Sequence, residues 1–259
     1  MAYALITGAS RGIGKAMAEQ LARKGHALLL IARSEDLLKD YANELSLRYK
    51  IPVDYFAIDL ARPAAAQEIF DWCRSKDIEI DILINNAGYG LNGLLEDYSL
   101  EEYLKMMQVN MSSLVSLTYL FLPGLKKMPG AHIGNIASGA AYQAVPGLNV
   151  YAATKAFVLS FSRGLSYELK KTSVSVTCIC PGATDTNFAA RANVTSEKAV
   201  QMAKKFNMDP AVVAQISVEG ILAGKTEVVP GLVNKLTRFF SHVLPDSLLE
   251  KSAAGIYGL

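Results

Sequence analysis

A tyrosine and a lysine stand four residues apart in a stretch with helical periodicity, and this spacing suits proton transfer. Tyr151 and Lys155 fall within residues 149–170, so the two side chains share one helix face and can meet. An unperturbed phenol has a pKa of about 10, too high for ready proton exchange at neutral pH. A neighbouring ammonium group stabilises the phenolate and moves that pKa toward the working range. The pair therefore has the makings of a general acid and base, although an exposed tyrosine–lysine pair has the same spacing.

A serine placed directly after a predicted strand fits the same reaction centre. Ser138 follows the apolar run at 131–137. At that place its hydroxyl can hydrogen-bond a substrate oxygen and orient it. A serine that only caps the end of a strand would look the same in the sequence.

A glycine-rich turn follows the first predicted strand and leads into a helix. The turn reads Thr7-Gly8-Ala9-Ser10-Arg11-Gly12-Ile13-Gly14. Glycine permits a tight turn and close approach of the backbone to a pyrophosphate, and the helix N-terminus offers free N–H groups at a positive dipole end. The spacing differs from G-x-G-x-x-G. Taken alone, the turn is also compatible with a plain strand–helix connection.

The elements that must position these groups follow from the hydropathy pattern. Apolar runs typical of strands occur at 3–7, 26–32, 53–58, 80–85, 131–137, 174–180 and 227–229. Helical periodicity fills most of the intervals, for example at 14–24, 34–49 and 64–76. This alternation implies βαβ units with right-handed crossovers, which place helices on both faces of a parallel sheet. We predict one doubly wound α/β domain of Rossmann type over residues 1–259, with seven parallel strands.

Composition and charge exclude several other functional classes. The chain has 259 residues, 51% of them apolar, and a formal net charge of +2 at pH 7. Acidic and basic residues are interspersed, whereas a nucleic-acid partner requires a clustered basic face. The three cysteines and three histidines lack the spacing of a disulfide framework or a metal site, so no metal is expected. With no secretory signal and no apolar run of about 18 residues, we expect a cytoplasmic location and no membrane partner.

The segment at 187–208 breaks the strand–helix rhythm. It is polar, mostly compatible with helix and follows a strand end directly. Ligands of doubly wound folds bind outside the carboxyl ends of the strands. The segment is therefore interpreted either as a substrate lid or as an ordinary surface helix.

The C-terminal segment at 231–259 also has more than one interpretation. Its apolar residues have approximate helical spacing and are mixed with Lys235, Arg238 and His242. It can pack against the domain, form a subunit contact or lie on a membrane surface. Packing is favoured, because the basic face is small for a helix that binds lipid.

Five motifs in order resemble those of the classical short-chain dehydrogenase/reductase (SDR) family. They are Thr7-Gly8-x-x-x-Gly12-x-Gly14, Asn85-Asn86-Ala87-Gly88, Ser138, Tyr151-x-x-x-Lys155 and Pro181-Gly182. The resemblance covers nearly the whole chain and weakens after Phe188. It implies hydride transfer between a nicotinamide cofactor and a carbonyl or alcohol, with Tyr151 as the general acid and base. It further implies that Ser138 orients the substrate, that Lys155 holds the ribose hydroxyls, and that the Asn110 side chain helps to hold a water linking Lys155 to solvent.

The resemblance also assigns cofactor contacts to individual positions. Asp59 and Leu60 match the adenine-contacting pair, and Asn86, Ala87 and Gly88 match the adenosine side. The Pro-Gly-Ala-Thr-Asp-Thr segment matches the part that positions the nicotinamide carboxamide. The full set expected to contact the cofactor is Gly8, Ser10, Arg11, Gly12, Ile13, Gly14, Arg33, Asp59, Leu60, Asn86, Ala87, Gly88, Tyr151, Lys155, Pro181, Gly182, Thr184 and Thr186.

The end of the second strand favours NADP(H) over NAD. An acid at this place binds the ribose 2′-hydroxyl and repels a 2′-phosphate. The strand instead ends in Ile31-Ala32-Arg33-Ser34, and Arg11 lies in the glycine turn. Both guanidinium groups can pair with phosphate, although either alone could be a solvated surface charge.

The substrate is less constrained than the cofactor. The positions expected near it are mostly small or apolar, which predicts an apolar ketone or aldehyde; they are Gly139, Ala140, Tyr142, Val145, Leu148 and those after Thr186. Within the family, the chain most resembles uncharacterised bacterial members near the hydroxysteroid and long-chain 3-ketoacyl reductases. That resemblance implies a homodimer or homotetramer formed through the helix at 114–125 and the Tyr151 helix. A non-catalytic NADPH-binding regulator or scaffold is the alternative, which the intact Ser138, Tyr151 and Lys155 disfavour.

Overall fold

A parallel sheet forms the centre of the molecule. The computed structural model describes residues 2–259, apart from the side chains at 203 and 204. Seven strands within that range pair in the order β3-β2-β1-β4-β5-β6-β7, and every pairing is parallel. They are β1 Tyr3–Thr7, β2 Ala27–Ala32, β3 Val53–Ala57, β4 Ile80–Asn85, β5 Ala131–Ile136, β6 Val174–Ile179 and β7 Glu227–Val228. The predicted seven-stranded doubly wound sheet is confirmed, with strand ends within one residue of the expected ones.

Helices cover both faces of the sheet. Their bounds are α1 Gly12–Arg23, α2 Glu35–Tyr49, α3 Ala65–Ser75, α4 Leu100–Met107, α5 Ser113–Leu125, α6 Asn149–Glu168, α7 Phe188–Arg191, α8 Glu197–Phe206, α9 Pro210–Leu222, α10 Leu232–Val243 and α11 Asp246–Tyr257. A π-helical turn, Gln108–Ser112, joins α4 to α5, and short 3₁₀ turns occupy Leu95–Asp97 and Gly139–Tyr142. None of the helices within 2–259 combines the length and hydropathy that a membrane span requires.

Side chains of successive strand residues enter two different cores. Ile6 of β1 packs with Met17 of α1 and Val218 of α9 on one face. Leu5 packs with Ile69 and Leu117 on the other face. Strand side chains alternate between faces, and both faces are covered, so the strands are apolar throughout rather than at every second position.

A chain of buried amides ties the centre of the sheet to the helix that carries Tyr151. Asn85 Nδ2 in β4 donates to Asn135 Oδ1 in β5 (2.9 Å) and to Thr118 Oγ1 in α5 (3.1 Å). Asn135 Nδ2 donates in turn to Ser162 Oγ in α6 (3.0 Å). Asn135 is fully buried, so each of its polar atoms needs a protein partner.

Replacing Asn135 with alanine is expected to lower the free energy of unfolding by about 2–4 kcal/mol. The change removes two buried hydrogen bonds and leaves Asn85 Nδ2 with one acceptor fewer in a site without water. Urea denaturation would measure the loss, with Asn43→Ala on the exposed face of α2 as the matched control. Equal stabilities of the two variants would contradict this role for the network.

The C-terminal helices depart from the expected packing. No described side chain of α10 is buried, and its apolar residues face outward. The prediction that this segment's apolar side packs on the domain is therefore wrong for α10, because the half-buried side of the helix is the polar one. Helix α11 does pack inward, through Ala253 and Tyr257.

Candidate active site

The residues expected to do chemistry meet at the carboxyl ends of the parallel strands. Ser138 follows β5, the glycine turn follows β1, and Pro181 follows β6. Tyr151 and Lys155 reach this edge from α6, where both are buried. A doubly wound fold binds its ligand at this edge, since strand order reverses there and leaves a crevice.

The glycine turn requires glycine because Asn86 lies directly against it. The Asn86 amide Nδ2 donates to Thr7 O (2.9 Å) and Gly8 O (3.3 Å). Gly8 has a φ of +67°, and a Cβ there would lie 2.7 Å from that amide nitrogen. A Cβ on Gly14 would collide with the same Asn86 amide. These contacts produce a tight turn whose backbone is open to a ligand.

Hydrogen bonds link the carboxyl ends of β1 and β4 beside the glycine turn. Thr7 Oγ1 accepts hydrogen bonds from Asn86 N (2.9 Å) and Ala87 N (3.0 Å). Asn86 and Ala87 therefore hold the Asn-Asn-Ala-Gly loop against the glycine turn. Helix α1 begins at Gly12, and within the described structure no side chain caps it. A 12-residue helix that begins in this way offers its N–H groups and dipole to a diphosphate, so the turn fits the predicted nicotinamide cofactor.

Tyr151 is a buried phenol. It is 7% exposed, and the ring of Phe188 lies 5.1 Å from its own, centroid to centroid. Burial raises the pKa of Tyr151 to about 12, while an interaction with the Ser138 hydroxyl acts in the opposite direction. The phenol is therefore protonated at neutral pH and can act as a proton donor. The expectation that the Lys155 ammonium moves this pKa toward the working range is wrong, because the effect of burial dominates.

Lys155 is a buried ammonium beside this phenol. Its Nζ donates to Ile136 O (2.8 Å) and lies 5.8 Å from the centroid of the Tyr151 ring. Burial lowers the pKa of Lys155 to about 8. A Cβ on Gly88 would lie 3.2 Å from Nζ, so the glycine leaves room for the lysine head group.

Asn110 lies in the π-helical turn and is 1% exposed. Its Oδ1 accepts from Tyr89 N (3.1 Å), and its Nδ2 donates to Tyr89 O (2.9 Å) and to Thr154 Oγ1 (3.0 Å). The side chain thus fixes the segment after Gly88 to the Tyr151 helix. One lone pair of Oδ1 is left for the predicted water, whose role stays a prediction.

Ser138 is positioned by its own turn. Its Oγ accepts from Ala140 N (3.1 Å), and Gly139 N donates to Pro181 O (2.8 Å). The second bond links the serine loop to the segment assigned to the nicotinamide side. In that segment Thr184 Oγ1 donates to Gly182 O (3.1 Å), and Thr186 Oγ1 accepts from Phe188 N (3.3 Å).

The positions assigned to adenine contact lie at the edge of the same crevice. Asp59 Oδ1 accepts from Ala61 N (3.0 Å), and Asp59 Oδ2 lies 3.8 Å from Arg33 Nη1. Leu60 and Ile13 point into the two cores, so these two can offer only their backbone to a ligand.

Arg191 belongs with the two arginines that the sequence singled out, although no motif marks it. Burial lowers the pKa of Arg191, and the positive charges of Arg33 and Arg11 lower it further. Its guanidinium carbon lies 5.9 Å from the ring centroid of Tyr89. Among the described side chains, no acid lies within ion-pair distance of Arg191 or Arg11. The three arginines together form a cationic surface next to Asp59.

The segment at 187–208 covers Tyr151. It contains α7 and α8, and Phe188 of α7 supplies the ring that packs on the phenol. Asn92 N donates to Ala192 O (2.8 Å), and Ser196 Oγ donates to Ile256 O (2.7 Å), which hold the segment to the loop after β4 and to α11. Phe188 is one of the residues after Thr186 that were expected near the substrate, whereas Tyr257 was not predicted, since no motif places it.

Tyr142 differs from the expectation that it lies near the substrate. Its hydroxyl donates to Glu227 Oε1 (2.7 Å), and its ring packs with Cys178, Cys180 and Val229. The side chain is therefore turned away from the Tyr151 cluster. Val145 and Leu148, in contrast, pack in that cluster as expected.

Comparison with known proteins identifies relatives of this chain in sequence and in fold. The family model described as short chain dehydrogenase matches residues 2–197. An uncharacterized oxidoreductase of Staphylococcus aureus strain MRSA252 is 33% identical over 198 residues, which cover 76% of this chain and 84% of the relative. A short-chain dehydrogenase from Sphingobium yanoikuyae, solved in complex with NADPH, is 29% identical with a TM-score of 0.82 and covers 96% of this chain and 95% of that one.

A more distant structure shows the fold alone. The short-chain dehydrogenase/reductase from Burkholderia phymatum, solved in complex with NAD, is 24% identical with a TM-score of 0.84 and covers 96% of this chain and 95% of that one. One of these two solved structures thus holds NADPH and the other holds NAD, so they do not decide which of the two cofactors this chain prefers. The match over most of the chain, together with the glycine turn and the buried tyrosine and lysine, shows that this protein is an oxidoreductase of the short-chain dehydrogenase family.

Proposed function

We propose that the protein reduces an apolar ketone or aldehyde to the alcohol with NADPH, using Tyr151 as the proton donor. The observation that carries this proposal is the buried, protonated Tyr151 phenol. An interaction with the Ser138 hydroxyl lowers the pKa of this phenol, and the Lys155 ammonium lies 5.8 Å from the centroid of its ring. A role as a non-catalytic regulator would not require Ser138, a buried tyrosine and a buried lysine together in one site.

Ser138, Tyr151 and Lys155 have different tasks in the proposed reaction. A nicotinamide cofactor, when bound, supplies the hydride that reduces the carbonyl carbon. The Ser138 hydroxyl hydrogen-bonds the carbonyl oxygen and orients it, and the Tyr151 hydroxyl donates its proton to that oxygen as negative charge develops there. The Lys155 ammonium then stabilises the phenolate that is left on Tyr151, and it also holds ribose hydroxyls.

The cofactor preference follows from the charges around Asp59. Arg11, Arg33 and Arg191 are three cations beside the end of β2, and no acid stands at the tip of that strand. Asp59 pairs with Arg33 at a distance of 3.8 Å, so its charge is partly neutralised. A 2′-phosphate accepts charge-assisted hydrogen bonds from such groups, whereas a 2′-hydroxyl gains little from them. This favours NADP(H).

The apolar nature of the substrate follows from what surrounds Tyr151. Val145 and Leu148 are buried next to it, and Phe188 and Tyr257 pack against the same cluster. A sugar would leave its hydroxyl groups without partners on such a surface, at a cost of about 1–3 kcal/mol each. The segment at 187–208 is proposed as the lid over this cluster, because its Phe188 covers the phenol.

The assembly and the location also remain proposals. We propose a homodimer or homotetramer through α5 and α6, where Tyr119 and Phe157 are exposed. A cytoplasmic location is supported by the cysteines, since Cys73, Cys178 and Cys180 are all free thiols.

Absorbance at about 340 nm, the nicotinamide band, tests the function directly through NADPH oxidation. A panel of steroid, acyl and aryl ketones and aldehydes would be compared with a panel of ketoses, with NADH in parallel. Turnover of one apolar class with NADPH is the expected result. Turnover of ketoses alone would contradict the substrate class, and tight NADPH binding without turnover of any carbonyl would favour the regulator.

The rate of carbonyl reduction is expected to fall as the pH rises above about 8, the pKa to which burial lowers Lys155. Above that pH the ammonium loses its proton and no longer stabilises the phenolate left on Tyr151, so the barrier to proton donation increases. The measurement is kcat with saturating NADPH and substrate across the pKa of Lys155. A profile that stays flat to about pH 10 would show that the charge of Lys155 does not control the step.

A further inference from the structure

Helix α10 presents its apolar side to solvent. Its six large apolar residues are between 47 and 74% exposed, and they lie on an arc of about 120° when placed on a helical wheel. They are Leu232, Val233, Leu236, Phe239, Phe240 and Val243. A surface helix of a globular domain ordinarily buries such an arc, so its exposure here indicates a binding surface.

The polar side of α10 anchors the helix in this orientation. Arg238 Nε lies 2.9 Å from Glu227 Oε1, and the side chain of Glu227 is only 12% exposed. The same carboxylate accepts a bond from Arg163 Nη2 (2.7 Å). Asn234 Nδ2 donates to Pro230 O (2.6 Å) at the start of the helix. Rotating the apolar arc inward would break these contacts and leave Glu227 buried without Arg238, so the outward orientation is held in place.

The charge of α10 selects the kind of partner. Leu232–Val243 contains no acidic residue, and Lys235 and His242 lie along one edge of the apolar arc. Within the described structure no acid forms an ion pair with Lys235. An apolar arc bordered by the Lys235 ammonium, on a helix without an acid, matches a surface that has both hydrocarbon and negative charge, as the headgroup region of an anionic bilayer does.

A second copy of the chain fits this surface less well. In an antiparallel two-fold contact, the Lys235 edge of one helix would meet the same edge of the other and bring like charges together. In a parallel contact it would meet the Thr237 edge, which offers no acid. A face about 18 Å long and about 10 Å wide is also far smaller than the roughly 800 Å² that each partner buries in a stable interface. Insertion into a bilayer has no such minimum area, since each apolar side chain contributes separately.

We propose that α10 is a docking helix for the surface of an anionic lipid bilayer. This departs from two expectations, that the chain has no membrane partner and that the apolar side of α10 packs on the domain, because the structure leaves that side exposed. The helix contacts the Gly139–Tyr142 turn, and the Asn234 side chain lies directly against Gly182, so the polar side of α10 borders the active-site crevice while the apolar side faces away from it. The proposal does not depend on the reaction, because docking requires neither cofactor nor turnover.

Sedimentation with phosphatidylglycerol vesicles tests the proposal on the full chain. We expect wild-type protein to bind these vesicles, to bind phosphatidylcholine vesicles more weakly, and to be released as salt is increased. The double variant Leu236→Glu, Phe239→Glu should bind at least about tenfold more weakly, because two inserted side chains become anionic. The matched control is Leu47→Glu, Tyr167→Glu, which places the same charges at exposed apolar residues of α2 and α6 and should bind like wild type.

The charge at the edge of the arc is tested separately. Lys235→Glu should weaken binding to phosphatidylglycerol by about tenfold and leave binding to phosphatidylcholine nearly unchanged. The proposal is overturned if wild-type protein does not bind anionic vesicles, or if both double variants bind equally. A third result would also overturn it. In that case wild-type protein does not bind vesicles and is an oligomer by light scattering, and the double variant Leu236→Glu, Phe239→Glu is a monomer. Turnover is not measured, so failure here would leave the proposed reaction untouched.

Discussion

Replacing Tyr151 with phenylalanine is expected to lower kcat for carbonyl reduction by about 10³-fold while cofactor affinity changes little. The substitution removes the hydroxyl that the proposed mechanism uses as the proton donor to the carbonyl oxygen. The aromatic ring and its packing on Phe188 at 5.1 Å are retained. The loss should therefore appear in kcat, and the affinity for NADPH, measured by titration, should stay within about threefold.

A tyrosine on the same helix provides the control for this experiment. Tyr167 is 79% exposed near the end of α6, so Tyr167→Phe changes the same atoms at a position far from the sheet edge. Wild-type turnover is expected for it. If Tyr151→Phe turned over as fast as Tyr167→Phe, Tyr151 would have no part in proton transfer and the regulator hypothesis would have to be reconsidered.

The proximity of Tyr151 and Lys155 was predictable from sequence because the spacing of the two residues carries that information. Tyr151 and Lys155 are four residues apart on one helix, and this alone places them on a common face. The glycine turn alone was also compatible with a plain strand–helix connection, and it became specific only together with the four other motifs in order. The structure adds the reason that Gly14 must be a glycine, which is the Asn86 amide lying against it. That contact joins positions far apart in sequence and leaves no local pattern.

The orientation of α10 was not predictable, because periodicity reports that a helix has two sides but not which one is buried. The preference for packing assumed that the apolar side faces the domain. The structure reverses this, since Glu227 at the edge of the sheet binds Arg238 from the polar side. The same carboxylate explains why Tyr142 turns away from the substrate cluster. Glu227, which no sequence motif marks, thus accounts for both the orientation of α10 and the position of Tyr142.

Replacing Arg33 with aspartate is expected to weaken NADPH binding by about 100-fold and to leave NADH binding unchanged or tighter. The substitution removes one phosphate partner and adds an acid that repels a 2′-phosphate and accepts a 2′-hydroxyl. Each charge-assisted bond contributes about 1.5–3 kcal/mol, so the loss of one arginine alone corresponds to roughly tenfold to a hundredfold. Fluorescence titration with both cofactors measures the change.

Arg191 provides an independent test of the same cationic surface. Arg191→Ala should weaken NADPH by about tenfold and NADH by less than about twofold, because only the 2′-phosphate distinguishes the two cofactors. Arg62→Asp is the matched control, since Arg33 and Arg62 have side chains that are each 58% exposed and each is paired with an acid. If Arg33→Asp or Arg191→Ala weakened both cofactors equally, the arginines would act on the shared diphosphate and the argument for NADP(H) would fail. Because Arg191 lies in the proposed lid, selective loss of NADPH would also show that the lid closes on the cofactor as well as on Tyr151.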